Sequence, residues 1–421
     1  MNALINDPYA ALRFPYFRRI LIGRLFLTLS IQIQAVSIGW LLYVKTGDPL
    51  ALGFSGLAEA IPYIITSMFS GYVADTKNRK HVLMAAMFFL FLASIGLLLQ
   101  IMSDLNSTQS GLNTIPYYLA LSCVGLSRGF MGPSLQALWA DIVPKEVYPN
   151  AATWSANLFN FAAVAGPAIG GLLYGFLGAI SANIAVCILI ISSLTAFSFV
   201  RYTRPPQKPN TESLSNKLTA GLKFVFSHQV LVGAMALDMF AVLFGGALAL
   251  LPAFTKDVLS LGPEALGILR AAPFVGSLLM GMYLAHHPPV EKTGKWLLFA
   301  VAGFGACMIG FAMSTHYYLS LILIAASGAF DNISMVIRGS IAQLLTPDEM
   351  RGRVSAVNGI FIGASNEIGA FESGLAARVL GLVPSVIAGG SMTLLIVAFT
   401  SWKAPALSSF SIREHGMRTA E

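Results

Sequence analysis

The sequence predicts an all-α membrane protein with twelve transmembrane helices, and three observations carry this prediction. Of the 421 residues, 56% are hydrophobic and only 11% are charged, whereas soluble proteins contain about 25% charged residues. The apolar residues form blocks of about twenty, the length that a helix needs to cross a hydrocarbon core of about 30 Å. Proline, glycine or charged residues separate the blocks. These features exclude a disordered chain and argue against a soluble enzyme.

Twelve apolar blocks are predicted to be membrane spans. They lie near residues 17–42, 50–74, 80–102, 116–140, 152–175, 178–200, 229–252, 262–285, 296–314, 317–343, 354–378 and 382–402. The first block follows a polar segment that contains Arg13, Arg18 and Arg19. No small-residue cleavage site ends that block, so we expect an uncleaved first helix.

The distribution of lysine and arginine predicts the orientation of the chain. Nineteen of these residues fall on the side that holds both termini, and three, Lys45, Lys256 and Arg378, fall on the other. Because cytoplasmic loops are enriched in Lys and Arg, both termini are predicted to be cytoplasmic. The net charge of +7 is therefore a topology signal, and we expect no nucleic acid partner.

The chain is predicted to consist of two like halves. A polar linker, 201–228, separates an N-terminal six-helix half, 1–200, from a C-terminal six-helix half, 229–421. An offset of 203 residues carries Gly171 onto Gly374 and Gly166 onto Gly369. Two pseudo-symmetric halves with a cleft between them form an architecture that suits alternating access.

The loop after the second span carries a recognisable motif. It contains Gly71, Asp75, Arg79 and Lys80, and it resembles the cytoplasmic loop motif of the major facilitator superfamily, although Asn78 replaces a second glycine. The resemblance implies that Asp75, Arg79 and Lys80 form a latch that joins the halves in one state. Gly71 would allow two helices to approach closely. The alternative is that the basic residues only fix the topology.

A glycine-proline stretch in the fifth span is similar to a signature of the superfamily's antiporters. It contains Gly166, Pro167, Gly170 and Gly171, which would suit a rocking hinge because proline frees a carbonyl and glycines permit tight crossing. Tight packing without a hinge role is the alternative. The overall layout resembles the drug:proton antiporter subgroup, which implies the major facilitator fold in a bacterial inner membrane.

Ionisable and polar residues inside the spans are the candidates for the functional site, because a charge at the bilayer centre is costly. In the tenth span, Ser327, Asp331, Ser334 and Arg338 form one polar stripe at steps of four, three and four residues. The resemblance implies that spans 1, 4, 7 and 10 line a central cavity. The predicted substrate and proton residues are Arg24, Gln32, Arg128, Asp238, Asp331, Arg338 and Glu367.

The sequence leaves open which acid carries a proton. Asp331 lies about two turns from Arg338, too far for a neighbouring-turn ion pair, so Arg128 or Arg24 could pair with it across the cavity. Glu367 could equally be a buried hydrogen-bonding residue. Glu59 and Arg378 would face each other as an outer gate, because spans 2 and 11 are neighbours in the resembled fold.

These features together predict a secondary transporter that exports a small amphipathic molecule, siderophore-like or a lipophilic drug, in exchange for protons. An importer or facilitator of the same fold, moving a siderophore, metal or nutrient inward, is the alternative. A receptor or scaffold is disfavoured because it has no reason to bear intramembrane charges. We expect a monomer in the lipid bilayer that is not an enzyme. We expect no catalytic residue, metal site or cofactor, with the proton gradient as the energy source.

Overall fold

The computed structural model describes residues 7–106, 113–203, 214–347 and 349–413. All regular structure in these ranges is helical, which agrees with the predicted all-α fold. The main helices are α1 Pro15–Thr46, α2 Pro49–Thr76, α3 Arg79–Asn106, α4 Ile115–Ile142, α5 Tyr148–Ser198, α6 Leu214–Phe226, α7 Gln229–Gly245, α8 Pro263–His286, α9 Thr293–Met313, α10 Tyr317–Leu345, α11 Arg351–Leu380 and α12 Leu382–Lys403.

The helices are consistent with the twelve predicted spans. Within the described ranges, nine segments are long and apolar enough to cross a membrane. One of them, Lys145–Ser198, has 54 residues and divides at Gly178, where a positive φ of 82° breaks the helix. The remaining two spans are α4 and α11, which have 28 and 30 residues, more than the ~20 that a crossing needs.

Proline and glycine mark several helix ends. Pro15 and Pro49 stand at the first positions of α1 and α2, where the missing N–H of proline costs no intrahelical bond. Gly47 ends α1 in the left-handed conformation with a φ of 63°, and its N–H donates to the Tyr43 carbonyl at 2.8 Å. Glycine adopts this conformation without the steric cost that a Cβ brings.

The chain forms two compact units. The first comprises Met1–Gly47, Leu57–Pro209 and Leu261–Ala271, and the second comprises Asp48–Gly56, Asn210–Ser260 and Ala272–Glu421. The first unit therefore includes the beginning of α8, and the second includes the beginning of α2. Each unit has its own apolar core, with Leu90 and Phe197 fully buried in the first and Ile337 fully buried in the second.

Each unit contains an equivalent close crossing of two glycines. In the first unit, a Cβ at Gly171 of α5 would lie 2.8 Å from the Cα of Gly267 in α8. In the second unit, a Cβ at Gly374 of α11 would lie 2.9 Å from the Cα of Gly53 in α2. Gly171 and Gly374, which the offset of 203 residues relates, thus both lie at close helix contacts, and the repeat of two like halves stays a prediction.

Candidate functional site

A buried ion pair joins α7 to α10 in the second unit. Arg338 Nη1 lies 2.5 Å from Asp238 Oδ2, and the side chains of Arg338 and Asp238 are only 10% and 8% exposed. Arg338 Nε also donates to Ser334 Oγ, one turn earlier in α10, at 3.1 Å. The Arg338 end of the stripe that the sequence predicted on α10 therefore faces α7, and the bond to Ser334 fixes the direction of the Arg338 guanidinium.

Asp331 lies two turns from Arg338, at the middle of the 29-residue helix α10, and its side chain is exposed. Together with Asp238 it lines a cavity of about 230 Å³ between α7, α9 and α10. The rest of the lining is largely apolar and includes Val242, Phe304 and Phe330. Contact of such a carboxylate with lipid would be costly, which favours an orientation of Asp331 into this cavity.

Arg338 is the cation of the second unit that influences Asp331. Arg338 acts electrostatically on both Asp331 and Asp238. In contrast, Arg128 of α4 pairs with Glu59 of α2 within the first unit, and its guanidinium lies 5.8 Å from the ring centre of Tyr63. Arg128 thus has an acidic partner in its own unit, and a bond from Arg128 to Asp331 stays a prediction.

The other two predicted residues of the first unit lie at the contact of α1 with α5. Arg24 donates to Ser155 Oγ, and its guanidinium lies 5.5 Å from the ring centre of Phe159. A bond from Arg24 to Asp331 stays a prediction. Gln32 packs against Gly166, where a Cβ would lie 2.6 Å from the Gln32 Cβ. Glu367, the remaining predicted cavity residue, has a side chain outside the described part of the structure.

The predicted outer gate between Glu59 and Arg378 is replaced by an ion pair that uses a different acid. Arg378, near the end of α11, pairs with Asp48 at 3.1 Å, just before α2 begins. Glu59 is engaged by Arg128 instead. Both predicted residues thus have other partners, and the sequence reasoning missed Asp48 because it considered only acids inside the spans.

The basic residues of the predicted latch bind groups of their own unit. Arg79 is buried and lies 2.5 Å from Asp141 at the end of α4, while Lys80 donates to the Val200 carbonyl at 2.7 Å. Tyr202 also donates to the Asp141 carboxylate, at 2.5 Å. The Asp75 side chain lies outside the described part of the structure. In this conformation Arg79 and Lys80 tie the loop to α4 and to the end of α5, and the latch between halves stays a prediction.

The predicted close approach at Gly71 is corrected, since a Cβ there would meet open space among the described residues.

The glycine-proline stretch of α5 packs tightly, as the packing alternative predicts. A Cβ at Gly170 would lie 3.0 Å from the Ile33 Cα, and one at Gly171 would lie 2.4 Å from the Pro263 carbonyl oxygen. The helix runs on through Pro167 and breaks at Gly178 instead. A hinge motion at Pro167 stays a prediction.

The described residues contain no group of three or more His, Cys, Asp or Glu side chains that could hold a metal ion. The polar sites found in the two units are instead ion pairs and carboxylates set into helix interiors. Such sites can exchange protons or bind charged groups.

Comparison with known proteins decides the family. Residues 6–414 match the family described as transmembrane secretion effector of the major facilitator superfamily. The chain belongs to this family. This confirms the resemblance found in the sequence and identifies an integral membrane transporter rather than an enzyme.

Individual relatives match along nearly the full length of this family member. It is 24% identical over 395 residues to the multidrug efflux pump Tap of Mycolicibacterium fortuitum, covering 90% of this chain and 93% of Tap. It is 26% identical over 394 residues to the enterobactin exporter EntS of Escherichia coli O81, covering 91% and 90% of the two chains. Among solved structures, the POT family transporter PepTSo has a TM-score of 0.72 at 12% identity, with coverage of 93% and 98%, which shows a shared fold.

Proposed function

We propose that this transporter exports a small amphipathic molecule, a siderophore or a lipophilic drug, in exchange for protons. The observation that carries the proposal is the cavity of the second unit, where two carboxylates, Asp238 and Asp331, share the influence of one guanidinium, Arg338. The family description and the names of the two relatives support export.

A single proton changes the net charge of the cluster formed by Asp238, Asp331 and Arg338. With both acids ionised, Arg338 neutralises Asp238 and leaves one negative charge on Asp331, which forms no ion pair among the described residues. A proton on Asp331 makes the cluster neutral. Because a net charge at mid-membrane depth is costly, proton binding and release at Asp331 would favour different states of the transport cycle.

The cavity also indicates what kind of substrate it could accept. Phe304 and Phe330 offer apolar contact for a ring or alkyl group, while Asp331 and Ser334 offer polar contact, which suits an amphipathic compound.

Proteoliposomes with an acidic interior test the proposal. Wild-type protein is expected to accumulate ethidium or a tris-catecholate siderophore, and a protonophore should abolish the accumulation. The Asp331→Asn variant should lose accumulation but still exchange preloaded substrate without a gradient. Glu291→Gln is the matched control, because Glu291 pairs with Arg413 on the surface and is 64% exposed.

Two outcomes would contradict the proposal. Accumulation by Asp331→Asn equal to that of the wild type would remove Asp331 from proton coupling. Accumulation that requires an acidic exterior would indicate symport, and the protein would then be an importer of the same fold.

A further inference from the structure

A second cavity lies where the helix of the seventh span is interrupted. The helix α7 ends at Gly245, and the chain continues as a 3₁₀ turn, Ala247–Leu250, and a π-helical turn, Phe254–Val258. The interruption falls inside the apolar segment Gln229–Val258, about 25 Å from its start at 1.5 Å per residue. Irregular backbone at this depth is tolerated only where it is buried in protein or lines a cavity.

The cavity has a volume of about 220 Å³ and is bounded by the end of α7, by α11 and by α12. Phe244 and Gly245 line it from the end of α7, Glu372 and Ser373 from α11, and Ser385 from α12. It is separate from the cavity of Asp238 and Asp331, which lies between α7, α9 and α10. The binding inference therefore does not depend on the proposed proton coupling.

Glu372 is the unusual group in this cavity. Among the described residues its carboxylate has no hydrogen bond and no ion pair, although it lies eight residues, about 12 Å, before the end of α11. An unpaired carboxylate inside a membrane-spanning helix is costly and marks a functional site by default. The two serine hydroxyls beside it donate to backbone carbonyls, Ser373 to Gly246 at 3.4 Å and Ser385 to Leu382 at 2.8 Å. Their oxygen lone pairs therefore remain available to a ligand.

The chemistry of the cavity favours a cation. The carboxyl-terminal end of a helix carries a partial negative charge and carbonyl groups without intrahelical partners, and here that end belongs to α7. Unwound backbone carbonyls of interrupted helices coordinate sodium ions or protons in other transporter folds. Together with one carboxylate and two hydroxyls, they offer oxygen ligands only.

The charge of the site selects the class of cation. A single carboxylate balances one positive charge, whereas calcium sites use several carboxylates. We infer that Glu372, Ser373, Ser385 and the carbonyl end of α7 bind a small monovalent cation, for which sodium is the probe.

Binding of radioactive sodium to the purified full-length protein in lipid nanodiscs tests the inference. Wild-type protein is expected to bind ²²Na⁺ saturably, with displacement by sodium chloride and not by choline chloride at equal ionic strength. Glu372→Gln should abolish saturable binding. Glu291→Gln, which removes an exposed carboxylate elsewhere, should bind as the wild type does.

The absence of saturable binding by the wild type, or equal binding by Glu372→Gln, would overturn the inference. If Glu372→Gln does not yield a monodisperse protein, Ser385→Ala replaces it, because this variant keeps the charge and removes one hydroxyl ligand. Ser385→Ala should weaken sodium affinity, and an unchanged affinity would count against the ligand set. Since this assay measures sodium alone, its failure leaves the Asp331 experiment unaffected.

Discussion

Replacing Arg338 with glutamine is expected to destabilise the transporter by about 3–5 kcal/mol, the cost of leaving a buried charge without its partner. The structure places the pair in this class because both side chains are nine-tenths or more shielded and the Arg338–Asp238 distance is 2.5 Å. The exposed pair of Arg413 and Glu291, with side chains 63% and 64% exposed, provides the matched control. Arg413→Gln should change stability by less than about 1 kcal/mol.

The free energy of unfolding in mixed micelles, followed by circular dichroism during titration with sodium dodecyl sulfate, measures these differences. The double variant Asp238→Asn/Arg338→Gln separates charge from packing, because it removes both charges and leaves two neutral groups that can hydrogen-bond. It should recover at least half of the loss seen in Arg338→Gln. A loss below about 1 kcal/mol in Arg338→Gln, or a double variant less stable than the sum of both single changes, would refute the buried-pair reasoning.

Two further stability differences follow from the structure and use the same titration. Gly171→Ala should destabilise the protein by about 1–3 kcal/mol through overpacking, because its Cβ would lie 2.4 Å from a carbonyl oxygen. Gly71→Ala is the control and should not destabilise, since a Cβ there has open space among the described residues. Equal effects of the two changes would argue against a tight helix crossing at Gly171. Arg79→Gln should cost about 3 kcal/mol because the Arg79 side chain is 8% exposed and its loss leaves a carboxylate unpaired. Arg378→Gln, with a side chain 57% exposed, should cost less than about 1 kcal/mol, and a reversed order would contradict the ranking by burial.

The spans could be predicted from the sequence because each one must supply about twenty consecutive apolar residues. The longest element that this reasoning missed in the described ranges is α6, Leu214–Phe226, which lies within the stretch interpreted as a linker. Its prolines and polar residues indicate a loop, but Leu214, Leu218 and Leu222 recur every four residues. That spacing is the signal of an amphipathic helix, and it was outweighed by the polar composition of the whole segment.

Partners of the intramembrane charges could not be predicted in the same way, because helical periodicity gives the face of a residue and not the neighbouring helix. The depth of each residue along its helix is a better guide to its ion-pair partner than helical periodicity. Glu59 lies ten residues into α2, about 15 Å from its start, and Arg128 lies at a similar depth in α4, which begins on the same side of the membrane in a twelve-span topology. Asp48 and Arg378 both lie at helix ends. Matching by depth selects both observed pairs and rejects the predicted pair of Glu59 with Arg378.

Asp331 and Glu372 are intramembrane acids without an ion pair among the described residues, and each lines a cavity of its own. Paired charges such as Asp238 contribute to stability, whereas an unpaired charge at this depth costs at least about 2.5–3.5 kcal/mol on insertion scales. The free energy of unfolding of the Asp331→Asn and Glu372→Gln variants is therefore expected to be no lower than that of the wild type. A loss of more than about 2 kcal/mol in either variant would reveal a structural partner for that carboxylate. If stability is retained, the loss of proton-driven transport in the first variant and of sodium binding in the second can be assigned to the carboxylates themselves.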